Sequence, residues 1–123
     1  MNKISKLPVV LVTPINLSNG KSSGIQYIDD SLLLEGNDRF EKIDFLFDSF
    51  NRIVGENSSI LLYKEDVKRL ADQLSDETTS SKEIFREIKH RIRANYRVLK
   101  LSLDPRTLQF NGTKTAFIIH NDI

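Results

Sequence analysis

The chain has no cysteine, which excludes a disulfide framework, a thiolate metal site and thiol catalysis, and suits a reducing compartment. Histidine is nearly as scarce: His90 and His120 are the whole supply, and no second histidine stands at a ligand spacing such as His-x-x-x-His, so no metal site is expected. Glycine numbers five, mostly at turn positions. With no G-x-S-x-G and no glycine-rich phosphate loop, a nucleotide cradle has little to be built from and no cofactor is expected. Long apolar runs are missing too. Val9-Val10-Leu11-Val12 is far shorter than a membrane span or the apolar part of a secretion signal, so no membrane association and a cytoplasmic location are expected. Asp29-Asp30 could form an acid pair, but such a dipeptide is first of all a polar turn. An enzyme is not the expected reading.

What is present describes a globular chain. Its 123 residues are 39% hydrophobic and 28% charged, too apolar for disorder and the right length for one domain with a single core. The net charge of +1 conceals an asymmetry. Residues 1–63 carry six Lys/Arg against eight Asp/Glu, and residues 64–123 carry twelve against nine. Between Lys82 and Arg106 eight basic residues face three acidic ones. Such a local concentration can mark an anion-binding surface on a nearly neutral chain.

The pattern of elements is α+β. KLPVVLVTPIN, with a β-branched run closed by Pro14, reads as a strand. Asn19 to Gly24 is linker-like, and GIQYIDDSLLLEG suggests two short strands about a turn at Asp29-Asp30. From Asp38 the period becomes 3.6: Phe40, Ile43, Phe47, Phe50 and Val54 share a stripe, Asp38 and Glu41 have capping-box spacing, and Gly55 can supply a left-handed end. Ile60 to Tyr63 reads as one strand. KEDVKRLADQL places Val67, Leu70, Ala71 and Leu74 on one helical face, with Glu65 and Asp66 in the first turn where the helix dipole favours anions. Ser80 and Glu83 match a second capping box, opening the helix SKEIFREIKHRIRANY with Ile84, Phe85, Ile88, Ile92 and Tyr96 inward. Leu99, Leu101 and Leu103 alternate as in a half-buried strand, Asn111-Gly112 is a hairpin dipeptide, and Ala116 to Ile119 completes the hairpin.

The third helix carries the most chemistry. At about 100° per residue, Lys82, Arg86, Lys89 and Arg93 fall within a sector of roughly 60°, His90 and Arg97 extend it, and the apolar stripe lies roughly 120° away. A phosphate backbone rewards such a row, because each neutralised phosphate releases condensed counterions. The plainer reading is a solvated basic face, with Lys82, Arg86, Glu83 and Glu87 as helix-supporting pairs.

Helix, strand, helix, turn, basic helix and hairpin is the order of a winged helix-turn-helix. The stretch from Ile60 to Ile119 resembles the DNA-binding effector domain of OmpR/PhoB-type bacterial regulators: a short strand into KEDVKRLADQL, the connection SDETTSS, a basic helix whose IKHRIRANYRV is similar to that family's I-x-x-L-R-x-K-L ending, and a terminal hairpin. At the hairpin, Thr113-Lys114-Thr115-Ala116-Phe117 keeps only the aromatic of the family's Gly-x-Gly-aromatic motif. The resemblance implies one domain over residues 1–123, with N-terminal strands in 1–36 as a small antiparallel sheet and a winged-helix core in 37–123.

The function it implies is sequence-specific binding of double-stranded DNA by a transcriptional regulator. Ser81, Lys82 and Arg86 are then best placed to reach base edges, Lys89, His90, Arg93 and Arg97 to meet phosphates, and Arg106 and Lys114 to act from the wing. Because the overall charge is close to zero, a single copy should bind weakly, so a homodimer or a protein partner is expected. The alternative is a small protein-binding module, an inhibitor or accessory factor docking through the acidic first-helix region or an open sheet edge. Phe45, lying off the main stripe, is its candidate anchor, although a residue so placed more often meets the N-terminal sheet.

Overall fold

In the computed structural model, which describes residues 5–12, 29–55, 59–103 and 114–120, five strands form one sheet in the order β2-β1-β3-β5-β4. They are β1 (Ser5–Val12), β2 (Asp29–Leu34), β3 (Ser59–Tyr63), β4 (Arg97–Leu103) and β5 (Lys114–His120). Every neighbouring pair is antiparallel. The helices are α1 (Arg39–Gly55), α2 (Lys64–Leu74) and α3 (Ser81–Asn95). The architecture is thus α+β, with three helices and an antiparallel sheet among the described residues.

Register decides which side chains meet the helices, because alternate residues of a strand point to opposite faces. Val9, Ile60, Leu62, Ile119 and Val98 fall on one face through the pairs Leu11↔Ile60, Ile60↔Ile119 and Val98↔Ile119. That face joins Ile43, Leu46, Phe50, Leu70, Ile84, Ile88 and Ile92 in the core. Phe50 is fully buried and sits edge-on to both Phe47 and Tyr96, with ring centroids 5.5 and 6.4 Å away. The other face carries Leu61, Ala116 and Ile118, which are also buried, and Leu99, which is not.

β1 pairs with β3 only through Val10–Val12. Its first half lies instead beside α2, where the Lys6 backbone N–H donates to Gln73 Oε1 at 3.3 Å. A backbone donor at a sheet margin needs such a partner.

The start of α1 is fixed by short-range chemistry. Asp38 Oδ1 accepts from the Glu41 N–H at 2.9 Å, as its spacing predicts, while Glu41 Oε2 reaches one residue further back, to the Asn37 N–H at 2.6 Å. The chain can turn there because Gly36 has φ +146°. A Cβ at that position would stand 2.7 Å from the Glu41 Cβ and 2.9 Å from the Lys42 nitrogen, contacts no side chain tolerates.

Several expectations need correction. Asp29 and Asp30 are not a turn but the first residues of β2, paired with Val10 and Val9; the proposed strand at Ile25 and Tyr27, the linker at 19–24 and the Asn111-Gly112 turn lie outside the described residues. Gly55 is the last helical residue of α1 with no left-handed φ. Phe40 is 60% exposed rather than part of the buried stripe. Phe45, the anchor of the alternative reading, follows its commoner course and is partly buried against the core. α1 packs on β2 and β3, and Lys42, on the flank of α1 shared with Phe45 and Ser49, donates to Ser5 Oγ at 3.3 Å. That flank is covered, so the buried arc of α1 turns toward it and away from Phe40.

Candidate nucleic-acid interface

α3 begins where the sequence places it. Ser80 is its N-cap, accepting from the Glu83 N–H at 3.2 Å, and Ile84, Ile88 and Ile92 are its buried residues. These three anchors fix its rotation. Lys82, Arg86, His90 and Arg93 are exposed and Lys89 is half-exposed. None of the five forms an ion pair with any described residue, so neither Lys82 nor Arg86 is engaged by Glu83 or Glu87. The helix-supporting pairs of the plainer reading are not formed.

Ion pairs between described residues form elsewhere. Arg39 meets Asp76 at 3.7 Å, Arg69 meets Asp66 at 3.0 Å, Arg91 meets Asp44 at 3.3 Å and Lys114 meets Glu65 at 3.6 Å. Arg91 also lies 4.2 Å from the centroid of the Phe47 ring. On α3 the paired arginine faces α1, and the unpaired cations face the other way.

They face a groove. Between α2 and α3 runs a depression of about 580 Å³ lined by Lys64, Lys68, Asp72, Ser81, Lys82, Phe85, Arg86 and Lys89. Lys64, Lys68 and Asp72 stand four residues apart on α2, which brings them onto one side of that helix. Phe85, expected in the core, is only partly buried. Its ring lines the groove between two cations, with Lys68 Nζ at 5.8 Å and Lys89 Nζ at 5.5 Å from its centroid, within the range of cation–π attraction. A smaller depression, lined by Arg93, Tyr96, Val98 and Lys100, continues the surface onto β4. The cationic strip therefore spans three elements.

The remaining predicted residues divide. Ser81 is half-exposed, and its hydroxyl donates to Asp72 Oδ1, so it is already committed to α2. Arg97 does not extend the helical row: α3 ends at Asn95, the Tyr96 N–H closing on the Ile92 carbonyl at 3.0 Å, and Arg97 opens β4 opposite His120. It shares a face with Leu99, away from the helices. Lys114, at the start of β5, is held by Glu65 and lies 5.4 Å from the Tyr63 ring centroid. Arg106 lies outside the described residues. Sequence reasoning passed over Lys64, Lys68 and Lys100; the four-residue spacing on α2 was the available signal.

The turn between α2 and α3 is built on Asp76. Its Oδ1 accepts from the Thr78 N–H at 2.8 Å, the Thr78 hydroxyl at 2.7 Å and the Thr79 N–H at 2.8 Å. These bonds, those from Thr78 foremost, with Arg39 adding its charge, hold the Asp76 carboxyl below its ordinary range. At the far end of α3 the Tyr96 hydroxyl donates to Asn51 Oδ1. Burial raises its pKa above the usual tyrosine value, with Arg91 opposing.

Among the described residues, no group of three or more His, Asp or Glu could hold a metal ion, and no helix is long and apolar enough to cross a membrane. Comparison with protein-family models, curated proteins and solved structures finds no match to this chain.

Proposed function

We propose that this chain is a sequence-specific regulator that binds double-stranded DNA as a winged helix-turn-helix, with α3 in the major groove and the β4–β5 hairpin as the wing. The observation that carries the reading is the unpaired cationic strip along α3, continued by Lys64 and Lys68 on α2 and by Lys100 on β4. The order α1-β3-α2-α3-β4-β5, with β5 between β3 and β4 in the sheet, supports it, because that arrangement leaves the outer side of α3 open beside a hairpin.

Lys82 and Arg86, on the first half of α3, are the base-reaching cations. Lys64, Lys68, Lys89 and Arg93 take phosphates, with His90 at the margin of the row. Lys114 acts through Glu65 as a brace at the base of the hairpin. A chain of net charge +1 gains little long-range attraction to DNA, so two copies on adjacent half-sites are the expected functional form.

Retention on duplex DNA across a salt gradient tests the reading. Replacing Lys89 and Arg93 together by alanine should lower the slope of log affinity against log salt by about 1.8, about 0.9 for each phosphate no longer neutralised. A duplex affinity whose slope is untouched by that double change would remove α3 from the interface.

A further inference from the structure

The groove between α2 and α3 is not uniformly positive. Asp72 is the one carboxylate among its described lining residues. It is exposed and forms no ion pair with a described residue. Its Oδ1 takes the Ser81 hydroxyl, and its Oδ2 accepts from no described residue. A carboxylate set among cations without joining one is misplaced in a surface built only to hold phosphates, since it repels a polyanion at that point. What its free oxygen can do is accept a hydrogen bond from an N–H.

Resting on the reading of α3 as a major-groove helix, we infer that Asp72, oriented by Ser81, selects a cytosine. The donor pattern of the groove decides the base. Cytosine presents its N4 amino group alone, the partner a carboxylate accepts from. Guanine presents only the acceptors N7 and O6, and thymine only O4 beside a methyl group. Adenine has an amino group, but its N7 acceptor lies next to it and would face the second carboxylate oxygen. Ser81 fixes the side chain at the first residue of α3, next to Lys82. The groove is then divided, with Lys64 and Lys68 positioning the backbone and Asp72 reading an edge.

Selection from a random duplex library tests this, with the wild type, Asp72→Ala, Asp72→Asn and Lys68→Ala run in parallel. Removing the carboxylate should flatten cytosine preference at one position by about tenfold while overall duplex affinity holds or rises. Asparagine should move that position toward adenine, whose N6 and N7 match its donor and acceptor. Lys68→Ala should weaken all sequences in equal proportion. Because preference is a ratio between sequences bound by the same sample, partial loss of folded protein cancels. An unchanged motif in both Asp72 variants, or a uniform loss of binding in both, overturns the assignment of Asp72 and leaves the DNA reading standing. A wild type that enriches no duplex removes the DNA reading itself.

Discussion

Arg91 and Arg93 stand two residues apart on α3 and meet different surroundings. Arg91 turns toward α1, where it pairs with Asp44 and lies over the Phe47 ring. Arg93 turns toward β4, lining a depression with Tyr96, Val98 and Lys100 and pairing with no described carboxylate. A partly exposed arginine with both an acid and an aromatic ring at hand is used by the fold. One left exposed beside further cations stores unrelieved repulsion, which a polyanion would relieve. The two flanks of α3 thus separate a structural arginine from an interfacial one within a single helical turn.

The largest effect comes from removing the support common to both flanks. Ile88 is buried at the middle of α3, and Ile88→Ala should cost about 2–5 kcal/mol, the usual range for emptying a buried Ile site. Chemical unfolding should show it, and DNA retention should fall in step with the folded fraction. A stability change under about 1 kcal/mol would mean that α3 is not seated by its isoleucines.

Exchanging the two arginines separately sharpens the contrast. Arg93→Ala should leave stability within about 0.5 kcal/mol and lower the salt slope of duplex binding by about 0.9. Arg91→Ala should do the reverse, with a loss of about 0.5–1 kcal/mol of stability, since its pair is partly exposed and its ring contact adds modestly, and no change of slope. Parallel unfolding and DNA-retention measurements decide. Equal behaviour of the two variants in both assays would dissolve the distinction between the flanks.

Much of this frame was legible because short-range rules write it. The limits of α2 and the N-cap of α3 follow from Ser80, Glu83 and the three- and four-residue spacing of Val67, Leu70, Ala71 and Leu74, all within one or two helical turns. Periodicity also gives each residue an angle on its helix, but not the width of what covers it. Phe40 lies at the edge of its stripe, about 40° from the centre at about 100° per residue, and the packing of α1 on β2 and β3 leaves it exposed. The groove was illegible for a related reason. Lys64, Lys68 and Asp72 look like a solvated face on α2 alone, and only the packing of α2 on α3 sets them opposite Phe85 and Ser81.

The smallest expected effect belongs to the turn that holds both flanks in register. Asp76 joins α2 to α3, and its carboxylate gathers Thr78, Thr79 and, at 3.7 Å, Arg39 from α1. Its pKa is lowered in the folded chain, mainly by those hydrogen bonds, so the folded state prefers the ionised form. Its stabilisation is fully present above the unfolded carboxyl value of about 3.9 and is lost as pH falls through the lower folded value. Asp76→Asn cannot ionise and serves as the reference. The difference in melting temperature between wild type and Asp76→Asn should be constant from about pH 7 to about pH 5 and should shrink below about pH 4 as the carboxylate takes up its proton. A gap of the same size at about pH 2 would show that the turn depends on the shape of the side chain and not on its charge.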